Sequence, residues 1–408
     1  LFQHIKRLIG QRIPELTRLR KEFQMQGILF CMLNANRQDE RSEIDAEATE
    51  FAIGMPILKD DSQLVAEMLG VKRTAEAFLI SADGRRIVYR DAIDDRMSYQ
   101  KEKPTAENFF LKDAIQQLVA GEPITTPQTD APGCKVSMPK PRPLTYTKDI
   151  APILKANCVT CHVKGGLGPF QMSSYKKVEG WADMIAEVIL TKQMPPWHAD
   201  PEIGKFANDC SLSPDDAHRI VSWVNDDCPR GEGADPLEGY QPELPEWHLG
   251  APTKTISLPV QNVAAEGVFD YRYVTLDHVI VTAHPPGSRD NEQWITGYAP
   301  GTQGQNYPDG SAVHLRKGWK LRFQLHYTAS GRAETDITKL GFHFSTTPVE
   351  KRFLTAVISN GKFEIPPGAM EHSERKTIKI KTASTLYSIN PHMHFRGKFM
   401  NFTAELPD

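Results

Sequence analysis

Two cysteines three positions apart, followed at once by a histidine, constrain this chain more than any other feature: Cys158-Val159-Thr160-Cys161-His162. Each thiol can add across one vinyl group of a haem, and the short spacer lets both reach the same edge of the ring. The next residue, His162, then lies under the iron as its proximal ligand. The competing uses of such a pair are half of a zinc site or a thioredoxin-type CxxC on the surface. A zinc site needs a second Cys/His pair at ligand spacing, and the nearest other cysteines, Cys134 and Cys210, stand singly. The motif therefore predicts haem c bound covalently through Cys158 and Cys161.

A chain of 408 residues exceeds one ordinary core and predicts about two to four domains. Its 48 basic and 51 acidic side chains leave a net charge of −3, which argues against a nucleic-acid binder. No apolar run approaches a membrane span; the longest runs from Gly27 to Leu33 and is strand-sized. The sequence opens on Leu1 without a leader-like segment, as expected of a processed or partial product. Haem is attached covalently outside the cytoplasmic membrane, so a periplasmic or extracellular setting is expected. Haem takes two of the six cysteines. Cys210 and Cys228 flank one predicted helix and would either bridge or remain two unpaired thiols. Cys31 sits in an apolar run and is expected to be inert packing.

Up to about residue 120, helical and strand patterns alternate. A helix is predicted from Ile5 to Phe23, interrupted near Pro14, then a buried strand from Ile28 to Leu33. Helices over Glu43–Phe51 and Ser62–Leu69 bracket a short strand at Met55–Leu58. Ala77–Ile80 and Arg86–Tyr89 read as a hairpin around Asp83-Gly84. Phe110, Leu111, Ala114, Ile115, Leu118 and Val119 recur at helical spacing behind a cap at Thr105. Residues 121–143, with six prolines, read as an extended linker. A helical block follows over 144–236. Helices are predicted near Ile150–Ala156, over Tyr175–Thr191, and from Ser213-Pro214, where a capping serine precedes a proline at the first helical position. After a second linker over 237–254, Gly and Pro punctuate short alternating strands such as Thr377-Ile378-Lys379-Ile380-Lys381. That pattern predicts a β-sandwich.

A sixth iron ligand is expected downstream of His162. Met194 in Gln193-Met194-Pro195-Pro196-Trp197 is the candidate, with His198 second; two prolines hold the segment extended, and Trp197 could cover a haem edge. A His/Met haem favours electron transfer and leaves no open position for oxygen. Eight of the thirteen histidines follow residue 250. His392 and His394, in Pro391-His392-Met393-His394, would project to one face of a strand about 6.6 Å apart, where two rings can converge on one metal; the alternative is an exposed pair. His326 shares a strand face with Lys320, Arg322 and Gln324, opposite the apolar face of Trp319, Leu321, Phe323, Leu325 and Tyr327. His284, His314, His343 and His372 are read as structural.

Three resemblances extend this reading. The first 130 residues or so, through Ala131-Pro132-Gly133-Cys134, resemble a thioredoxin-like, redoxin-type domain that begins inside its first helix. This copy has no CxxC and places Ala75 where the family has a cis-proline, so a scaffold or docking role is implied. The haem motif, its flanking helices and the Met-Pro-Pro-Trp segment resemble a class I cytochrome c. Finally, the H-x-H followed by Arg396-Gly397, His326-Tyr327-Thr328 with Gly331, Gly297-Tyr298-Ala299-Pro300-Gly301-Thr302, and Ile365-Pro366-Pro367-Gly368 resemble bacterial relatives of the type II, ascorbate-dependent copper monooxygenases. That family includes peptidylglycine and dopamine β-monooxygenases.

The last resemblance implies two β-sandwich domains, each binding one copper. His392 and His394 would serve the oxygen-activating copper, whose methionine ligand is expected beyond Asp408. His326 and His278 would serve the electron-storing copper; Asp277 stands where that site's first histidine is expected. The implied architecture has several domains: an α/β thioredoxin-like domain over 1–120, an all-α cytochrome c domain over 144–236, and an all-β, jelly-roll-like sandwich region over 255–350 and 351–408. The expected function is an exported redox protein. Its haem would take electrons from an external donor or another cytochrome and pass them to copper, for O2-dependent hydroxylation of a small molecule. The alternative is an electron-transfer or structural component of an extracellular assembly with degenerate copper and thiol sites.

Overall fold

Leu16, Leu19 and Phe23 recur at helical spacing, and the first helix turns this stripe onto a core of Leu79, Tyr89, Ile93, Leu111, Ala114 and Ile115. That helix, α1 (Phe2–Phe23), runs on through Pro14. The expected interruption is absent: the missing Pro14 N–H removes one bond from the helix without ending it. The computed structural model describes residues 2–406, apart from 85, 98–102, 139–141, 165, 167, 202, 244, 264–274, 289–291, 300, 301, 303, 329–332, 370 and 394–396. For residues 2–9, 11, 263, 275–277, 328 and 334 it describes the backbone alone. The chain divides into two units, Leu1–Glu246 and Trp247–Asp408.

In the first unit, β1 (Met32–Asn34) pairs in parallel with β2 (Ile57–Lys59), and α2 (Arg41–Glu50) crosses between them. Glu40 and Glu43 bond reciprocally to each other's backbone and start α2 as a capping box. The buried strand expected from Ile28 to Leu33 shrinks to three paired residues. Leu29 and Cys31 precede that ladder and are exposed; Cys31 is not core packing. Next come α3 (Leu64–Leu69), β3 (Ala77–Ile80) and β4 (Ile87–Asp91), the last two an antiparallel hairpin that turns at Gly84. The fourth helix, α4 (Phe110–Ala120), starts from Phe109 and not from Thr105. Beyond it the proline-rich strand-like segment bonds back: Arg90 N donates to Pro127 O at 3.0 Å, Thr74 N to Cys134 O at 2.8 Å, and Val136 N to Lys72 O at 3.0 Å. Gly133 permits this approach, because its φ of +118° suits no side chain and a Cβ there would sit 2.4 Å from Thr74 O.

One wide helical turn (Tyr146–Ile150) leads into α5 (Ala151–Asn157). The expected helix over Tyr175–Thr191 is two, α6 (Tyr175–Glu179) and α7 (Ala182–Leu190), divided at Gly180 and Trp181. The last, α8 (Pro214–Asn225), starts as predicted: the Ser213 hydroxyl accepts from Asp216 N at 3.1 Å, ahead of Pro214. Ser213→Ala is expected to cost about 1 kcal/mol, measured as a fall in the urea midpoint with unchanged slope. Tyr146, Ile150, Leu154, Val178, Ile220, Trp223 and Leu237 form the fully buried centre of this block. Trp223 Nε1 donates to Pro229 O at 3.0 Å, and Tyr146 donates to Asp235 Oδ1 at 2.8 Å, so both buried polar tips are satisfied.

Two expectations of fold class are overturned here. The helical block is not a separate all-α cytochrome domain. Leu64 of α3 shares a core cluster with Ala186 of α7 and Val221 of α8. His218 Nε2 lies 2.8 Å from a Glu67 carboxylate oxygen, and Arg37 pairs with Asp215. The helices are thus one part of a mixed α/β unit. Nor does that unit hold the single layered sheet of a thioredoxin-like domain: among the described residues its strands form two separate two-stranded ladders.

The second unit contains no β-sandwich among its described residues. Its strands are β5 (Lys254–Ser257), β6 (Gln261–Val263), β7 (Thr275–His284), β8 (Gln293–Tyr298), β9 (Ser311–Ala312), β10 (Lys320–Thr328), β11 (Glu334–Asp336), β12 (Lys339–Phe342) and β13 (Lys351–Arg352). They make one antiparallel sheet in the order β10-β7-β8 and three two-stranded ladders. A sandwich needs two sheets face to face. The apolar face of the larger sheet instead gathers Val279, Val281, Ala283 and Ile295 with Leu321, Phe323 and Leu325 as a small core. Ile378 and Ile380, whose alternation predicted a strand, lie outside any ladder with exposed side chains. An alternating segment without a hydrogen-bonded neighbour gains nothing from its pattern.

Among the described residues no helix is long and apolar enough to cross a membrane.

Candidate functional site

The haem-type motif begins where α5 ends, with Cys158 as its C-cap residue. Tight bonds wind the chain from there. Cys161 N and His162 N both donate to Cys158 O, at 3.1 and 3.0 Å. Gly168 N then donates to Cys161 O at 2.8 Å, and Met172 N to His162 O at 2.9 Å. This loop folds over the imidazole, leaving His162 8 % exposed. A Cβ on Gly168 would come within 2.6 Å of His162 Nδ1, so only glycine fits there.

The His162 ring is held by one bond. Its Nδ1 lies 3.0 Å from the Phe170 carbonyl oxygen, which can only accept, so Nδ1 carries the proton. The lone pair is then on Nε2, the arrangement that orients a histidine ligand on a metal. Burial lowers the pKa of His162, partly opposed by the Phe170 bond. The thiols of Cys158 and Cys161 are both free. Burial, and next the neighbouring Cys161, push the Cys158 thiol up to about 12.

Aromatic contacts extend from the ring. Phe170 lies 4.7 Å from His162 and stacks on Trp181 at 4.6 Å and 12°. Trp181, the N-cap residue of α7, and Met184 and Val188 within the helix recur at helical spacing, spanning roughly 10 Å at 1.5 Å per residue. Trp181 and Met184 are exposed although apolar. Met194 N donates to Val188 O at 3.1 Å, which fixes the Met194 loop at the far end of the stripe. The Met194 side chain is 41 % exposed, and Trp197 packs edge-on against Phe206 at 5.8 Å. His198 is exposed on the same loop. Two thiols, a buried imidazole with its outer nitrogen available, and an exposed apolar stripe running to a methionine fit a flat apolar macrocycle such as haem.

The histidines of the second unit come together differently from the sequence expectation. His278 and His326 face each other across the β7–β10 register, with ring centroids 4.0 Å apart and planes at 21°. His392 joins them, 4.8 Å from His278 at 66°. The resemblance assigned these rings to two separate coppers, yet the structure gathers the three. His394 lies outside the described residues. The set is right in kind for copper, but not in orientation. Stacked imidazoles direct their ring nitrogens side by side, not toward a common point. Among the described residues no group of three or more His, Cys, Asp or Glu side chains is arranged to hold a metal ion. The residues as placed therefore do not fit copper.

His284 Nδ1 is 3.0 Å from Pro285 O, and His372 Nε2 is 3.0 Å from Glu374, both local structural contacts. Cys228 is buried, Cys210 is exposed and both are free. Sequence reasoning missed Phe170 and Trp181 as partners of the haem motif. Their one legible signal is aromatic character close downstream of His162.

No family model matches the chain, and no curated protein does. Several solved structures are similar over part of it, among them the following two. One is an uncharacterized conserved protein from Geobacillus kaustophilus, 23% identical over 32% of this chain and 70% of that one, with a TM-score of 0.28. The other is a hypothetical protein from Sinorhizobium meliloti 1021, 26% identical over 30% of this chain and 68% of that one, with a TM-score of 0.26.

Proposed function

We propose that this chain is an exported electron-transfer protein carrying covalently attached haem c. The observation that supports this reading is the nearly buried His162, with Nδ1 committed to the Phe170 carbonyl beside two free thiols. Cys158 and Cys161 would hold the haem through thioether links, and His162 Nε2 and the Met194 thioether would serve as iron ligands. Bound haem would supply one-electron redox chemistry. The protein's part is to fix the imidazole tautomer, to shield the ring with Phe170 and Trp181, and to present a thioether at the far end of α7. Electrons would come from an external donor or another cytochrome, in a periplasmic or extracellular setting.

Acid–acetone extraction tests the attachment. The pigment is expected to stay with the polypeptide; free release of haem, or colourless protein from a host equipped for haem attachment, would overturn the reading. Met194→Ala is expected to keep the covalent pigment while removing the sulfur-to-iron absorption band near the red end of the oxidised spectrum.

The wider copper monooxygenase reading gains no support from His278, His326 and His392, whose stacked rings do not converge on one metal. A plain electron carrier in an extracellular assembly is therefore the reading carried forward; copper bound per chain after reconstitution, together with substrate-dependent O2 uptake, would overturn it.

A further inference from the structure

The β10-β7-β8 sheet has one face in its core and one face turned outward, and the outward face holds a groove of about 390 Å³. Opposed residues of an antiparallel pair share a face. Arg322 is opposite Thr282, Thr282 is opposite Trp294, and Gln324 is opposite Ile280. These side chains form the floor, and Thr355 and Val357 contribute a wall. Two residues further along both strands stand His326 and His278, roughly 6.8 Å away on the same face. The groove thus opens beside the histidine cluster.

Its chemistry is specific in three respects. Trp294 is half-buried, and its six-membered ring lies where a Cβ on Gly297 would come within 2.9 Å of Cζ2. Gly297 therefore leaves room for the indole against the strand. Second, the charges cancel: Arg322 Nη1 donates to Glu292 Oε1 at 3.3 Å, and the Thr282 hydroxyl donates to the same oxygen. The Thr282 bond, and then Arg322, hold the Glu292 carboxyl below its usual range, so the pair stays ionised and balanced. Third, the polar groups offered are planar: a guanidinium, a carboxylate and the Gln324 amide.

We infer that this groove binds a neutral sugar unit, with Trp294 as its platform and Glu292, Arg322 and Gln324 as partners for its hydroxyls. A charged ligand would leave one member of the Arg322–Glu292 pair uncompensated. A wholly apolar ligand would strip water from the guanidinium and amide without replacing those bonds. A hydroxylated ring meets both demands: its C–H face covers the indole, and vicinal hydroxyls pair with the planar groups. The volume lies in the range of small-ligand clefts.

The test is calorimetric titration of the full haem-bearing chain, free of copper, with cellohexaose, xylohexaose, mannohexaose and the anionic hexagalacturonate. At least one neutral hexamer is expected to bind, and Trp294→Ala to weaken it by roughly tenfold or more. Trp294→Phe should restore most of the affinity, and Gln324→Ala should weaken it with an unchanged melting temperature. No binding of any neutral hexamer, equal or tighter binding of the anionic one, or no loss in Trp294→Ala would each overturn the inference.

Discussion

Replacing Cys158 and Cys161 together by alanine is expected to leave a folded but colourless protein. The two thiols are the only covalent anchors the haem motif offers, so acid-stable pigment should fall from full occupancy to undetectable. The fold should persist, because the loop is wound by backbone bonds from Cys161 N, His162 N and Gly168 N that a side-chain change does not touch. Cys158 sits only at the edge of the helical core, so truncating it costs far less than emptying the core centre. Far-ultraviolet dichroism and haem stain on the same sample separate the two effects. Acid-stable pigment in the double variant would show that the attachment lies elsewhere. Full unfolding of the variant would place these cysteines in the core, against the structure.

Asp94→Asn is expected to destabilise the first unit strongly, by about 3–5 kcal/mol, because it leaves a buried charge without its partner. Asp94 is 1 % exposed and Arg12 3 %. Arg12 Nη1 donates to Asp94 Oδ1, while Arg96 donates through Nε at 2.8 Å and through its backbone N at 3.0 Å. Arg12 already has two buried donors, Nε and Nη2, without partners, so it has no reserve when the carboxylate is lost. For a unit of this size the change corresponds to a fall of roughly 6–20 °C in melting temperature. The pH dependence follows. Burial alone would raise the Asp94 pKa, but the Arg96 bond and the Arg12 charge hold it below the usual carboxylate range. Its contribution is therefore complete above the unfolded value and disappears as pH falls through the lower folded value. Acid unfolding of Asp94→Asn should lose this component; an unchanged acid profile would refute the assignment.

The elements easiest to recognise in the sequence were those with local punctuation. The Ser213-Pro214 start of α8, the β3–β4 hairpin at Gly84 and the apolar stripe of α4 all carry their cause within a few residues. The expected sandwich failed for the opposite reason. Alternation at Thr377–Lys381 states which side chains share a face, but nothing about whether another strand lies beside them. The all-α domain failed similarly, since the pairing of Leu64 with Val221 and Ala186 leaves no trace in either segment's period. At the candidate site, Cys158, Cys161 and His162 stand out in the sequence because the proposed haem attachment would impose their spacing. The bond from His162 to the Phe170 carbonyl does not, since any residue supplies a carbonyl. Likewise His278 and His326 meet through strand register, and His392 arrives from a distant part of the chain.

The seam formed by Leu64, Ala186 and Val221, with His218 against Glu67, bears on how such a protein can be cut or inherited. A fragment severed near residue 140 would carry a raw apolar scar on α7 and α8, and its counterpart a matching one on α3. The two segments are therefore expected to travel as a single heritable block, and a bench fragment that holds the Cys158–His162 motif should also hold α3.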